Sequence, residues 1–121
     1  MKAVAREVEL ELQHPLSFDE MGDLVEKLLL TLADDFNIKG IVPGHLKALV
    51  MEDEGYVAFS CTKPGAVTRQ MEQADLESFS RPRLLINAVI VSIPEEDVTA
   101  IVEQRLADAL GMVPVAYWEA K

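Results

Sequence analysis

Residues 45–62 read HLKALVM-EDEG-YVAFSCT, two apolar arms around an acidic turn that ends in glycine. Taking EDEG as the connection of a β-hairpin sets Val50 opposite Val57, Ala48 opposite Phe59 and Leu46 opposite Cys61. Side chains alternate along a strand, so those residues fall on one wholly apolar face. The other face then carries Met51 with Tyr56, Leu49 with Ala58, Lys47 with Ser60, and His45 with Thr62. A three-residue connection would set Lys47 beside Cys61 and mix the faces, so the segregation itself selects the register.

Working outward toward the N-terminus, Val8, Leu10 and Leu12 alternate with Glu7, Glu9, Glu11 and Gln13, the period of a half-buried strand. His14-Pro15 ends it, since proline cannot donate to a ladder. Ser17 and Glu20 stand in capping-box spacing, and Leu16 and Met21 occupy the positions of a hydrophobic staple. Met21, Leu24, Val25, Leu28, Leu32 and Phe36 continue as one helical stripe, with Gly40 as its stop. Gly22 breaks the helical preference, at a cost of about 1 kcal/mol relative to alanine, which points to close packing against it. Residues 41–44 form the loop that leads into the hairpin.

Beyond the hairpin, Lys63-Pro64-Gly65 has proline and glycine where a type II turn needs them. Residues 66–80 read two ways: Val67, Met71 and Ala74 suit a short helix, and Val67-Thr68-Arg69 equally suits a strand. Leu84 to Val91 is apolar on both faces, as a central strand covered above and below would be, with Asn87 its polar interruption. Ser92 and Glu95 repeat the capping-box spacing, and Pro94 suits a first turn. Val98, Ile101, Val102, Leu106, Ala109 and Leu110 make a second stripe that Gly111 ends, and Val113 to Trp118 is a last strand held to an edge by Pro114.

Two helices with one apolar stripe each, and strands with one apolar face each, pack most economically as two layers. The expected fold is α+β: an open-faced sandwich with both helices on one side of a mostly antiparallel sheet of four or five strands, ferredoxin-like or related. The whole chain of 121 residues has the size of one domain and, at about two-thirds of its unfolded surface buried, needs no disulfide or metal to hold it.

The net charge of -10 repels phosphate backbones and anionic membranes, so nucleic acid and membrane are not expected partners. A lone cysteine suits a reducing compartment, the N-terminal segment from Met1 to Leu10 lacks the apolar run of a signal peptide, and no apolar stretch is long enough for a bilayer. A cytoplasmic location is the expectation. Phosphate loops, C-x-x-C, H-E-x-x-H and G-x-S-x-G are all missing. No cofactor and no metal are therefore expected; the one metal arrangement the residues allow joins His14 or His45 with Glu9 or Glu11 between copies.

Several residues have the chemistry of a site. His45 and Lys47 share a strand face, where an imidazole can move protons and an ammonium can hold an anion; the alternative is a solvated polar face. Lys63, Arg69, Arg81 and Arg83 concentrate positive charge in an acidic chain. If residues 66–80 fold back across the open sheet face, these join Lys47, Ser60 and Thr62 around an anionic small molecule; otherwise they simply pair with Glu72, Asp75 and Glu77. Cys61 points into the core without a base beside it. Asn87 has an amide that needs partners.

Leu49, Met51, Tyr56 and Ala58 leave the outer sheet face half apolar, and with Tyr117 and Trp118 they suit contact with a second copy of the chain. The first functional expectation is a non-catalytic domain that self-associates, through this face or the C-terminal edge, and binds an anionic small molecule. The second is a small oligomeric enzyme for a carboxylate- or phosphate-bearing metabolite, with His45 as acid or base and Lys47 and Arg83 as anion holders.

Overall fold

A computed structural model describes residues 3–113 and 115–119. Its elements are β1 (Ala3–Leu12), β2 (Leu16–Ser17), α1 (Phe18–Asp35), β3 (Gly44–Glu52), β4 (Gly55–Lys63), β5 (Ala66–Glu72), β6 (Ser78–Phe79), β7 (Arg83–Ile90), α2 (Glu95–Leu110) and β8 (Val115–Glu119). The main sheet has six strands in the order β5-β4-β3-β7-β1-β8, and every neighbouring pair is antiparallel. Two helices pack on one side of it.

The hairpin has the register read from its apolar pattern: Leu46 pairs Cys61, Ala48 pairs Phe59 and Val50 pairs Val57. Pairing extends to Glu52 and Gly55, so the loop proper is only Asp53-Glu54, tightened by Asp53 at φ 53°. A four-residue and a two-residue connection preserve the same parity, which is why the register survives the shorter turn. Leu46, Ala48 and Val50 are buried in one cluster with Met21, Val25 and Leu32 of α1 and with Val98 and Val102 of α2.

The two helix starts are built differently. At α1 the box is complete: Ser17 Oγ accepts from the Glu20 N–H at 3.0 Å, and Glu20 Oε1 accepts from the Ser17 N–H at 3.0 Å. At α2 the expected Ser92–Glu95 box does not form. The N-cap is Pro94, with no side-chain bond, and Ser92 adopts φ 71°, a turn conformation that carries it away from the helix start. The acidic first turn of Glu95, Glu96 and Asp97 still complements the dipole. Helix α1 ends at Asp35, before Gly40; Phe36 caps it and Gly40 serves a tight turn at φ 85° instead.

The sheet is wider than expected because residues 66–72 take the strand alternative, with Gly65 at φ 74° turning the chain back from β4. The ambiguous stretch then turns through residues 73–77 into the two-residue strand β6, which pairs with β2 and stacks Phe79 on Phe18 with centroids 4.3 Å apart. Strand β7 is central, between β3 and β1, but it is covered on one face only: Leu84, Ile86 and Ala88 are buried with the helices, whereas Leu85 and Asn87 lie half-buried on the open face. Strand β8 is an edge; Pro114, the residue expected to hold it there, lies outside the described residues, as do Met1 and Lys2 at the N-terminal end.

Strand β3 begins at Gly44 with φ 146°, and a Cβ there would collide with the Val89 carbonyl of β7. Gly65 shares a positive φ but has open space around it. Gly44→Ala is therefore expected to cost about 2 kcal/mol or more, since backbone strain and overlap add. Gly65→Ala is expected to cost about 1 kcal/mol from conformation alone. Urea unfolding of both variants checks the order.

Candidate functional site on the open sheet face

The parity that buries Leu46, Ala48 and Val50 turns the odd-numbered positions of β3 to the sheet's other side. The pairings then lay out that face in rows. One row runs Thr68, Ser60, Lys47, Asn87, Ala5; the next runs Gln70, Ala58, Leu49, Leu85, Glu7. A concavity of about 670 Å³ spans both, lined among others by Ala5, Lys47, Leu49, Ala58, Leu85 and Asn87. Its floor is apolar, and Lys47 stands with Ser60 on one side and Asn87 on the other.

His45, two residues before Lys47, lies on the same face beside Val89. Thr62, expected on this face, falls at the register irregularity between Cys61 and Lys63, where the alternation is broken. His45 Nδ1 and Asn87 Oδ1 are buried and have no hydrogen-bond partner in the structure. Two orphaned polar atoms at one end of one face are unusual, because buried polar groups are nearly always paired.

The arginines are distributed otherwise than the sequence suggests. Arg69 is on the helix side. It donates to Asp23 Oδ1 at 2.6 Å and to Glu26 Oε1 at 3.0 Å, and lies over the Phe59 ring at 5.9 Å from its centroid. Its guanidinium also occupies the space a side chain at Gly22 would fill, which explains that glycine. The Asp23 bond, more than the Glu26 bond, raises its pKa. The structure therefore separates Arg69 from Lys47 by the thickness of the sheet.

Arg83 is on the open face but four residues along β7 from Asn87, roughly 14 Å at the rise of a strand. Its guanidinium is 3.2 Å from Glu9 and 3.8 Å from Glu7. Arg81 precedes β7, is largely exposed, and sits 3.5 Å from Glu11. Lys63 ends β4 and is exposed. The residues brought together are thus His45, Lys47, Ser60 and Asn87; Thr62, at the irregularity of β4, has no register partner there, and Arg69, Arg81 and Arg83 are not among them.

Cys61 is buried, and its thiol donates to the Lys63 carbonyl at 3.2 Å. Burial pushes its pKa up, so it stays a protonated core residue at neutral pH. Among the described residues no cluster of His, Cys, Asp and Glu has the arrangement of a metal site, and no helix is long and apolar enough to cross a membrane.

Sequence spacing missed the long-range clamps. Arg105 of α2 donates to both Asp35 carboxylate oxygens at 2.7 and 2.9 Å, and Arg6 reaches Glu103 at 2.7 Å. Glu52 accepts from the Ser80 and Arg81 N–H groups at 2.9 and 2.7 Å, pinning the approach to β7. Trp118 donates its indole N–H to Glu9 Oε2 at 2.8 Å, joining β8 to β1 across the open face. Partners so far apart in the chain leave no local signature.

No family model matches the sequence, and comparison with curated proteins matches none. Among solved structures, a zinc-bound triple mutant of the YjiA GTPase is similar over 85% of this chain, at 18% identity and a TM-score of 0.41. Zinc-bound YjiA GTPase from E. coli is similar over 85%, at 16% identity and a TM-score of 0.39. This chain spans 29% of the length of either.

The Trp118 bond, and after it the Arg83 bond, hold the Glu9 carboxyl below the usual carboxylate value. A depressed carboxylate stabilises the fold fully above its unfolded pKa and loses that contribution as pH falls through the lower, folded value. Trp118 is the sole tryptophan. Its fluorescence is expected to change in a step below the ordinary carboxylate range, and Glu9→Gln is expected to abolish the step.

Proposed function

We propose that this chain is a small non-catalytic binding domain that works as an assembly of its own copies and takes an anionic small molecule on the open sheet face. The observation that carries the ligand reading is the state of Lys47. Arg6, Arg69, Arg81, Arg83 and Arg105 all make ion pairs. Among the described residues Lys27, Lys39, Lys47 and Lys63 make none, and of these lysines it is Lys47 that lines the open-face concavity, exposed between a hydroxyl and an amide above an apolar floor. A carboxylate or phosphate on Lys47 meets donors from Ser60 and from the Asn87 amide, while an apolar body rests on Leu49 and Leu85.

Thermal-shift titration with phosphate- and carboxylate-bearing metabolites checks this. The expected result is stabilisation by at least one such anion that Lys47→Ala removes and Arg69→Ala retains. Stabilisation unaffected by Lys47→Ala contradicts the site.

The supporting setting is a ferredoxin-like core, β1-α1-β3-β7-α2-β8, extended at one edge by β4 and β5. Its strand order β3-β7-β1-β8 with two helices on one side agrees with that reading. A cytoplasmic location accords with a single cysteine, Cys61, buried in the core. The second reading, an oligomeric enzyme, draws on His45 and Lys47 sharing one end of the face. Under it, His45→Ala abolishes turnover of a carboxylate or phosphate substrate while the fold stays intact.

A further inference from the structure

We propose that β8 is the strand to which a second copy of the chain adds, antiparallel and two-fold about Tyr117, so that one continuous sheet runs through both copies. This rests on the self-association read above and names its interface.

The backbone directions support it. The N–H groups of Leu10 and Leu12 donate to the Pro82 and Ser80 carbonyls, toward the β7 side. Backbone groups alternate sides along a strand, so Glu9 and Glu11 face β8. Their register partners Trp118 and Ala116 return those bonds, which leaves the N–H and C=O groups of Val115, Tyr117 and Glu119 directed out from the sheet. The free edge of β8 therefore offers an odd-numbered, evenly spaced row of donors and acceptors.

A two-fold pairing centred on Tyr117 sets Tyr117 against its own copy and Val115 against Glu119. Every outward group then has a partner, about six backbone bonds in all. No like charges stand opposite one another, because each Glu119 faces a valine. Centring on Ala116 or Trp118 leaves one end of the strand unpaired.

The side chains suit burial. All of β8 except Val115 is exposed. Tyr117 and Trp118 remain 45% and 48% exposed. Tyr117 shares the face of Leu10 and Trp118 that of Glu9, so the pairing adds an aromatic contact on each side of the joined sheet. The strand has no lysine and no bulge to guard its edge. The opposite edge, β5, differs: a two-fold pairing centred on that strand sets Arg69 against Arg69. Edge addition also leaves the Lys47 face uncovered for a ligand.

The test uses light scattering across concentrations and disulfide trapping in a Cys61→Ala background. An antiparallel hydrogen-bonded pair places its Cα atoms about 5.5 Å apart, within disulfide reach. The expected results are a wild-type mass of two chains, efficient trapping of Tyr117→Cys, and no trapping of Leu85→Cys on the open face. Tyr117→Pro, which removes an N–H directed away from β1, is expected to be monomeric. Should Tyr117→Pro not fold, the trapping pair decides alone. Trapping at Leu85→Cys without trapping at Tyr117→Cys overturns the edge and keeps self-association. A wild-type chain that stays monomeric at every concentration overturns both.

Discussion

Strand β3 governs the molecule because it is paired on both sides, to β4 and to β7. A strand in that position transmits its parity to its neighbours: once Leu46, Ala48 and Val50 point toward the helices, Val57, Phe59 and Cys61 must do so on one side, and Leu84, Ile86 and Ala88 on the other. The helices add little choice of their own. Their stripes, Met21 to Leu32 and Val98 to Leu110, bury against the apolar face already created. A slip of one residue in β3 would expose that face and bury Lys47, so the core and the open face have one cause.

The same parity sorts the charges. In a chain with a net charge of -10, cations have carboxylates available almost everywhere, and the arginines take them. Arg69 and Arg105 tie to acids on α1, Arg6 ties β1 to α2, and Arg83 is held by Glu7 and Glu9. These exposed pairs each contribute little to stability, but they withdraw the guanidinium groups from any ligand. The described lysines make no such pairs, and Lys47 among them has Ser60 and Asn87, both neutral, as its row neighbours. An unmatched ammonium in an acidic protein, beside buried polar atoms without partners, is the chemistry that marks this end of the sheet.

What could be read from sequence followed from periodicity and local spacing. The hairpin register, the α1 capping box and the strand character of β1 and β7 all have causes within a few residues. The Ser92–Glu95 box failed because the same spacing says nothing of backbone conformation, and Ser92 turns left-handed before the helix begins. Residues 66–72 were ambiguous because an exposed edge strand has no apolar alternation to show; β5 is mostly exposed. Of the candidate residues, His45, Lys47 and Ser60 were grouped by strand parity, whereas Thr62 falls at a break in that parity and the placement of Arg69, Arg81 and Arg83 depended on carboxylates distant in the chain.

Thiol labelling at single cysteines along β3, in a Cys61→Ala background, tests the parity most directly. Lys47→Cys should react nearly as fast as a free thiol in the native protein, and Ala48→Cys should react only as fast as the chain unfolds. The reverse order, a protected position 47 and a reactive position 48, would contradict the account at its root.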